Sequence, residues 1–261
     1  MAQTLKQRMS SYEESTSIKI INRIPIIIEI DGRSFYKITR NVQKPFCSRT
    51  MEILSGTMLS LAKKISGSVF GYQYSDKIIL VLRNDRSENE DPWFANETQA
   101  MCSAASSMAT YEFMNLLWQI DKPPNLEGDI SFKSRVFGIP SIKETINYII
   151  YKQYNCMQYA INETVYSVLG RGSVIDNIGI DERKSLLDKA GVSLDKFPAS
   201  FHHGSAVYVK PKLIHTDNGV ATQHKWLLDF DVPLFVEKKN TERLVTILST
   251  GSDIWRPERD L

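Results

Sequence analysis

Cysteine is scarce: Cys47, Cys102 and Cys156 are the only three in 261 residues, they stand far apart, and no two form a C-x-x-C pair. So sparse and odd a set excludes a disulfide framework, argues against a thiolate zinc site and fits a reducing compartment. Each thiol then reads as a small buried hydrophobe. Histidine is almost as rare, with four residues and no H-x-x-H spacing, which argues against a histidine-based metal site. No apolar run approaches the roughly 20 residues that span a bilayer, so no membrane association is expected. The first residues, MAQTLKQRMSSYEES, mix charges without an apolar stretch, as expected of a cytoplasmic chain rather than an exported one. Charge of one sign is also lacking: 32 basic residues face 30 acidic ones, for a net charge of +2. Any RNA contact therefore has to come from local patches rather than from a global field. Repeats and low-complexity tracts are absent.

What is there is the patterning of an ordinary globular chain, 42% hydrophobic and 24% charged. Ile26-Ile27-Ile28-Glu29-Ile30 predicts a buried strand stopped by a turn at Asp31-Gly32. Met51, Leu54, Met58, Leu61 and Ile65 recur as on one helix face, which predicts a helix over 49–65 ended near Gly67. Runs 68–74 and 77–82, separated by Ser75-Asp76, predict a hairpin with a carboxylate at its tip. A polar loop over 83–91 leads to Asp91-Pro92, which predicts an N-cap and first turn for a helix reaching Trp118. Lys122-Pro123-Pro124-Asn125 breaks the chain before a fourth strand over 130–139. The order β-α-β-β-α-β is that of a ferredoxin-like antiparallel sheet with its helices on one face. In that topology the first two strands can be neighbours, about 4.8 Å apart. Beyond Pro140, Ser141-Ile142-Lys143-Glu144 has the form of a capping box opening a long helix to about Leu169. A short helix over 181–189 and late strands at 207–209 and 226–230 follow, and the last dozen residues, with Trp255, carry no clear pattern. The division expected is a palm-like core, 1–140, with a helical and small β extension, 141–261, packed on it as one continuous domain.

Asp31 and Asp76 at adjacent strand ends form a carboxylate pair of the kind that holds two Mg²⁺ ions for phosphoryl transfer, and Gly32 lets its carbonyl approach a metal without a side chain in the way. From spacing alone the commoner reading stays open, that Asp31-Gly32 is merely a turn and Asp76 a solvated hairpin tip.

A wider set of motifs adds to this. Ile-Glu-Ile-Asp31-Gly32-Arg33-Ser34-Phe35, Lys44-Pro45-Phe46 and Tyr74-Ser75-Asp76 resemble the R-x-D-G-R-x-F, K-P-F and Q-S-D-E patterns of the tRNA(His) guanylyltransferase superfamily. Gln99, Ser103 and Ser106 resemble its Q-K-x-x-S-x-x-A-S helix, and Phe132, Arg135 and Pro140 its F-D-x-R-x-x-x-x-P strand. Phe201, Gly204 and Tyr208-Val209-Lys210, then Trp226, Asp231, Pro233 and Phe235, resemble its last two motifs, so the resemblance spans about 5–236. It implies a polymerase-like palm that adds nucleotides to RNA 5′ ends in the 3′-to-5′ direction. Asp31, Gly32 and Asp76 would hold two Mg²⁺ ions, with Asp31 and Asp76 as the catalytic carboxylates. Gly32, Arg33, Ser34, Phe35, Lys44 and Ser75 would bind the nucleotide. ATP and GTP or other NTPs are the implied substrates, tRNA or tRNA-like RNA the partner, and a homodimer or homotetramer the assembly.

Five departures shape the expectation. Lys77 stands where the pattern has glutamate, Ala100 where a helix lysine meets triphosphate, and Lys133 where it has aspartate. The H-I-N-N stretch falls on Met157-Gln158-Tyr159-Ala160, and His202-His203 replace a basic residue before the late glycine. Loss of H-I-N-N argues against dedicated guanylation of histidine tRNA and for 5′-end repair, while Ala100 bears on 5′ activation. Lys133, Arg135, His202, His203 and Lys210, with Lys212 and Lys225, are candidates for an RNA-backbone track, although a solvated charged surface serves equally for each singly. The tyrosines of the long helix, Tyr148 to Tyr166, read mostly as packing residues. Alternatives are an RNA- or nucleotide-binding relative without transfer, and a palm enzyme with other NTP chemistry such as cyclisation.

Overall fold

The β-branched run at Ile26 does form a strand, and strands and helices then alternate as the pattern predicts. The computed structural model describes residues 3–39, 42–86, 91–120, 130–216 and 219–254. In chain order the elements are α1 (Leu5–Glu14), β1 (Ile26–Arg33), α2 (Tyr36–Thr39), α3 (Ser48–Lys64), β2 (Ser68–Tyr74), β3 (Lys77–Leu82), α4 (Thr98–Ile120) and β4 (Ser131–Gly138). They continue with α5 (Ile142–Leu169), α6 (Ser173–Asp176), α7 (Ile180–Lys189), α8 (Ala199–His202), β5 (Ser205–Thr216), β6 (Gly219–Asp229) and α9 (Lys238–Thr250).

The six strands form one antiparallel sheet in the order β4-β1-β3-β2-β5-β6. Its first four positions are the ferredoxin-like order, extended by the β5–β6 ribbon at the β2 edge. Strand β1 is apolar at nearly every position because both its faces are covered. Ile26, Ile28 and Ile30 pack with Leu54, Met58 and Phe113 of α3 and α4. Ile27 enters a second core with Ile149 of α5 and Leu248 of α9.

Several sequence expectations need correcting. Asp31-Gly32 does not end β1, which runs on to Arg33 by pairing Gly32 with Phe132 and Arg33 with Ser131 of β4. The neighbours of β1 are β3 and β4, not β2, as the crossover topology requires. Asp91-Pro92 leads only into a 3₁₀ turn, Trp93–Asn96, whose Phe94 and Ala95 have φ of 49° and break the helical path. Helix α4 starts later, where the Glu97 carboxylate accepts from the Ala100 and Gln99 N–H groups at 2.5 and 3.2 Å. Ser141 caps α5 by accepting from Glu144 N–H at 3.2 Å, but Glu144 accepts instead from Asn147, so only half of the capping box forms. Of the thiols, Cys156 is buried while Cys47 and Cys102 are half-buried. Lys122–Asn125, Trp255 and the tail after it lie outside the described residues.

Candidate active site

Side chains alternate along β1, so Glu29 and Asp31 follow Ile27 onto the α5 face. Glu29 is 2% exposed. Its carboxylate accepts from Lys152 Nζ at 2.5 Å, Arg135 Nε at 2.7 Å and Tyr148 OH at 2.9 Å, and also from Arg135 Nη2. Burial pushes its pKa up, and the hydrogen bonds from Lys152, Arg135 and Tyr148 overcome this and hold it below the usual carboxylate range.

Asp31 lies two residues further on, beside the β2–β3 turn. Antiparallel register sets Lys77 of β3 and Lys133 of β4 opposite it. Lys77 Nζ lies 2.6 Å from Asp31 Oδ1 and Lys133 Nζ 3.9 Å from Oδ2. Gly32 N–H donates to the Asp76 carbonyl at 2.9 Å, which ties β1 to the turn carrying the second carboxylate. A Cβ at Gly32 would lie 2.8 Å from Phe35 Cδ2 and 3.1 Å from Asp76 Cβ, so the approach needs glycine. Neither half of the plain turn reading describes this geometry: Asp31-Gly32 is continuous strand, and Asp76 is half-buried.

The turn itself is held from below. Ser75 has φ of 50°, and its carbonyl accepts from Gln73 Nε2 at 2.8 Å. Gln73 Oε1 in turn accepts from Ser55 Oγ at 3.1 Å and Ser205 Oγ at 3.0 Å, a buried relay joining the turn to α3 and β5. Burial pushes the Asp76 carboxyl up, and the Lys77 ammonium only partly offsets it.

A cavity of about 270 Å³ adjoins Asp76, and Phe35, Lys44, Ser75, Tyr159 and Glu163 are among its walls. Phe35 is held by edge-to-face contacts with Phe113 and Phe132 at 5.3 and 6.3 Å between centroids, so it is as much core as wall. Lys44 Nζ lies 3.5 Å from Glu163, and Arg171 4.0 Å from the same carboxylate. Burial pushes the Tyr159 hydroxyl up to about 12.

Of the residues expected to bind nucleotide, Phe35, Lys44 and Ser75 line this cavity with Asp76, while Gly32 backs it. Arg33 is exposed at the end of β1, and Ser34 turns the chain with φ of 58°. The expected RNA residues are spread across the sheet. Lys133 and Arg135 sit on edge strand β4, turned to Asp31 and Glu29, whereas Lys210 is on β5, four strands away or roughly 19 Å. His203 is bound into the fold, its Nδ1 3.1 Å from the Val232 carbonyl and its own carbonyl accepting from Tyr72 OH at 2.7 Å. His202 stacks edge-on against His203 at 4.3 Å between ring centroids. Sequence reasoning missed Glu163 and Arg171 and took Tyr159 for packing. Their signal was the polar series Tyr148, Lys152, Asn155, Tyr159 and Glu163, spaced by three or four along α5.

The ferredoxin-like sheet is that of a polymerase-type palm, the fold of the solved structures it superposes on. Residues 6–140, just over half the chain, match the family described as tRNAHis guanylyltransferase. The chain belongs to that family and is a nucleotidyltransferase. It is 21% identical over 255 residues to a probable tRNA(His) guanylyltransferase of Dictyostelium discoideum, covering 91% of this chain and 95% of that one. The tRNA(His) guanylyltransferase of Neurospora crassa is 20% identical over 82% of this chain and 75% of its own. Among solved structures, a bacterial tRNA(His) guanylyltransferase (Thg1)-like protein in complex with ATP superposes with a TM-score of 0.78 at 23% identity, over 94% of this chain and 99% of that one. The Saccharomyces cerevisiae enzyme superposes with a TM-score of 0.64 at 16% identity, over 82% and 94%. Among the described residues no helix is long and apolar enough to cross a membrane.

Proposed function

We propose that this enzyme adds NTP-derived nucleotides to the 5′ end of tRNA or tRNA-like RNA in the 3′-to-5′ direction, and that repair of truncated 5′ ends is its task rather than dedicated histidine-tRNA guanylation. The observation that carries the reading is the union of Asp31, Gly32 and Asp76 beside a cavity lined by Lys44 and Ser75. The names of its relatives and the ATP and GTP held by the bacterial neighbours agree with it. The repair preference rests on Met157–Ala160, where the family's H-I-N-N is absent and Tyr159 walls the cavity instead.

The donor set suits Mg²⁺. Two carboxylates and a backbone carbonyl are hard oxygen ligands, and Mg²⁺ is usually bound by one or two carboxylates together with substrate phosphates. Asp31, Asp76 and the Gly32 carbonyl would hold the ions, which when bound orient an attacking oxygen and offset charge on the α-phosphate. The chain's own groups do the positioning. The Gly32–Asp76 hydrogen bond and the Gln73 relay hold together the backbone segments that carry both carboxylates before substrate arrives. Lys44, with a side chain 44% exposed, can exchange its 3.5 Å contact with Glu163 for a phosphate oxygen. The 3′-hydroxyl of the incoming nucleotide would then attack the α-phosphate of the activated RNA end, forming the new phosphodiester and giving up its proton as the bond from that phosphorus to the activating group breaks, with pyrophosphate leaving a triphosphorylated end or AMP an adenylylated one.

The test uses purified protein, Mg²⁺, labelled NTPs and a 5′-truncated tRNA transcript bearing a mono- or triphosphate. Template-matched 5′ extension that vanishes in Asp31→Ala and Asp76→Ala is expected. A requirement for the triphosphorylated end would account for Ala100 in place of the family's lysine. Extension confined to histidine tRNA would overturn the repair preference, and no extension on either RNA would overturn the polymerase reading.

A further inference from the structure

The contact at Asp31 carries an inference beyond the family pattern, although it rests on the proposed role of Asp31 and Asp76 as metal ligands. Both oxygens of Asp31 already face a lysine, Lys77 at 2.6 Å and Lys133 at 3.9 Å. The nearer pair is partly shielded, with side chains 34% and 20% exposed, whereas Lys133 is 73% exposed and screened by water. Asp31 is fixed by the β1 ladder and the Gly32–Asp76 hydrogen bond, so the partner able to move is the lysine on its flexible four-carbon stem.

We propose that Lys77 is a resident counter-cation of Asp31 which a divalent ion has to displace, and which then transfers to the phosphates of a bound triphosphate. A dication entering beside Asp31 meets a like charge within contact distance, which weakens binding. A triphosphate supplies the displaced ammonium with new anionic oxygens, so metal and nucleotide assist each other through this side chain. The glutamate of the family pattern at this position would instead attract the ion, so this chain binds metal on different terms.

Titration of the full-length protein with Mn²⁺, followed by the EPR signal of free Mn²⁺, tests this without reference to turnover. In the absence of nucleotide, Lys77→Gln should bind Mn²⁺ about tenfold more tightly than the wild type. With a non-hydrolysable GTP analogue present, that advantage should shrink, because the wild-type ammonium then has a phosphate partner. Lys133→Gln should change the affinity less than about twofold. Lys77→Met serves as a second neutral variant, and circular dichroism checks that each variant folds. Equal or weaker Mn²⁺ binding by the folded neutral variants overturns the role of Lys77 alone, provided Asp31→Ala abolishes binding. Mn²⁺ binding that survives Asp31→Ala overturns the metal-site reading itself.

Discussion

Glu29 and Asp31 lie two residues apart on β1, point to the same face of the sheet, and are each met by cationic side chains. They differ in depth. The Glu29 side chain is 2% exposed and its partner Lys152 5%, with Arg135, at 64%, closing over the pair from the solvent side. Asp31 is 20% exposed, with partners at 34% and 73%. A buried carboxylate paired with a buried ammonium cannot exchange it for substrate, because breaking the Glu29–Lys152 bond would leave an uncompensated charge in the interior. A carboxylate at the strand's end, beside a cavity, can exchange a mobile lysine for another cation. Position along one strand thus separates a structural ion cluster from a site open to chemistry, although the side-chain types are nearly the same.

The largest effects test that separation directly. Asp31→Ala should lower the rate of 5′ extension by about a thousandfold or more while leaving stability within about 1 kcal/mol of wild type. Glu29→Ala should do the reverse. It strands the buried Lys152 ammonium and should cost about 3 kcal/mol of unfolding free energy in urea, with the folded fraction retaining its activity. If Asp31→Ala is the variant that unfolds, or Glu29→Ala folds like wild type, the contrast between the two carboxylates is wrong.

The Asp31 half of this contrast was written in the sequence, unevenly, and the Glu29 half was not. The hairpin over 68–82 showed through its composition, because strands covered on both faces leave apolar runs bounded by turn residues. Asp31, Gly32 and Asp76 stood out through their likeness to the family's motifs, since their spacing alone left the plainer turn reading open. What could not be read depended on register. Lys77 and Lys133 pair with Asp31 only because β3 and β4 run antiparallel on either side of β1. Tyr159 and Glu163 come from a helix some eighty residues beyond Asp76, which the fold alone brings to the cavity. Strands β5 and β6 looked short because Lys210, Pro211 and Lys212 break the apolar pattern. Pairing overrode composition there. Strand β2 pairs with β5 only over Ser205–Tyr208, the Val209 carbonyl accepts from the Asp253 N–H at 2.6 Å, and past that point, among the described residues, no strand pairs on this edge, which tolerates proline. Helix α1 escaped notice because it buries no residue and so carries no apolar face.

Gly32 sharpens the comparison from the backbone side. If the Asp31 end is a site because β1 and the β2–β3 turn approach closely, then Gly32→Ala should spoil it, since the new methyl meets Phe35 at 2.8 Å and Asp76 Cβ at 3.1 Å. Shifting Asp76 by several tenths of an ångström should lower 5′ extension by about tenfold to a hundredfold. The overpacking itself should cost about 1–2 kcal/mol. A variant that loses stability but keeps full activity would show that the close approach serves packing alone.

The smallest effect asks what burial does when counter-charges are missing. Glu29 is buried with three basic or hydroxyl partners and its charged form prevails, whereas His202 is partly buried beside another histidine. Burial and the His203 ring push its pKa below the ordinary imidazole value, and the Asp195 charge does not restore it. A base with a lowered folded pKa binds fewer protons in the folded state than in the unfolded one. The stability tied to His202 is therefore present above about pH 6.5 and is lost as pH falls from there through the folded value. His202→Asn should flatten the decline in urea-unfolding free energy between about pH 7.5 and pH 5.5 by a few tenths of a kcal/mol. An unchanged slope would mean that the neighbouring charges stabilise the imidazolium as fully as Lys152 and Arg135 stabilise the Glu29 carboxylate, and burial without strong partners would then leave no mark on stability.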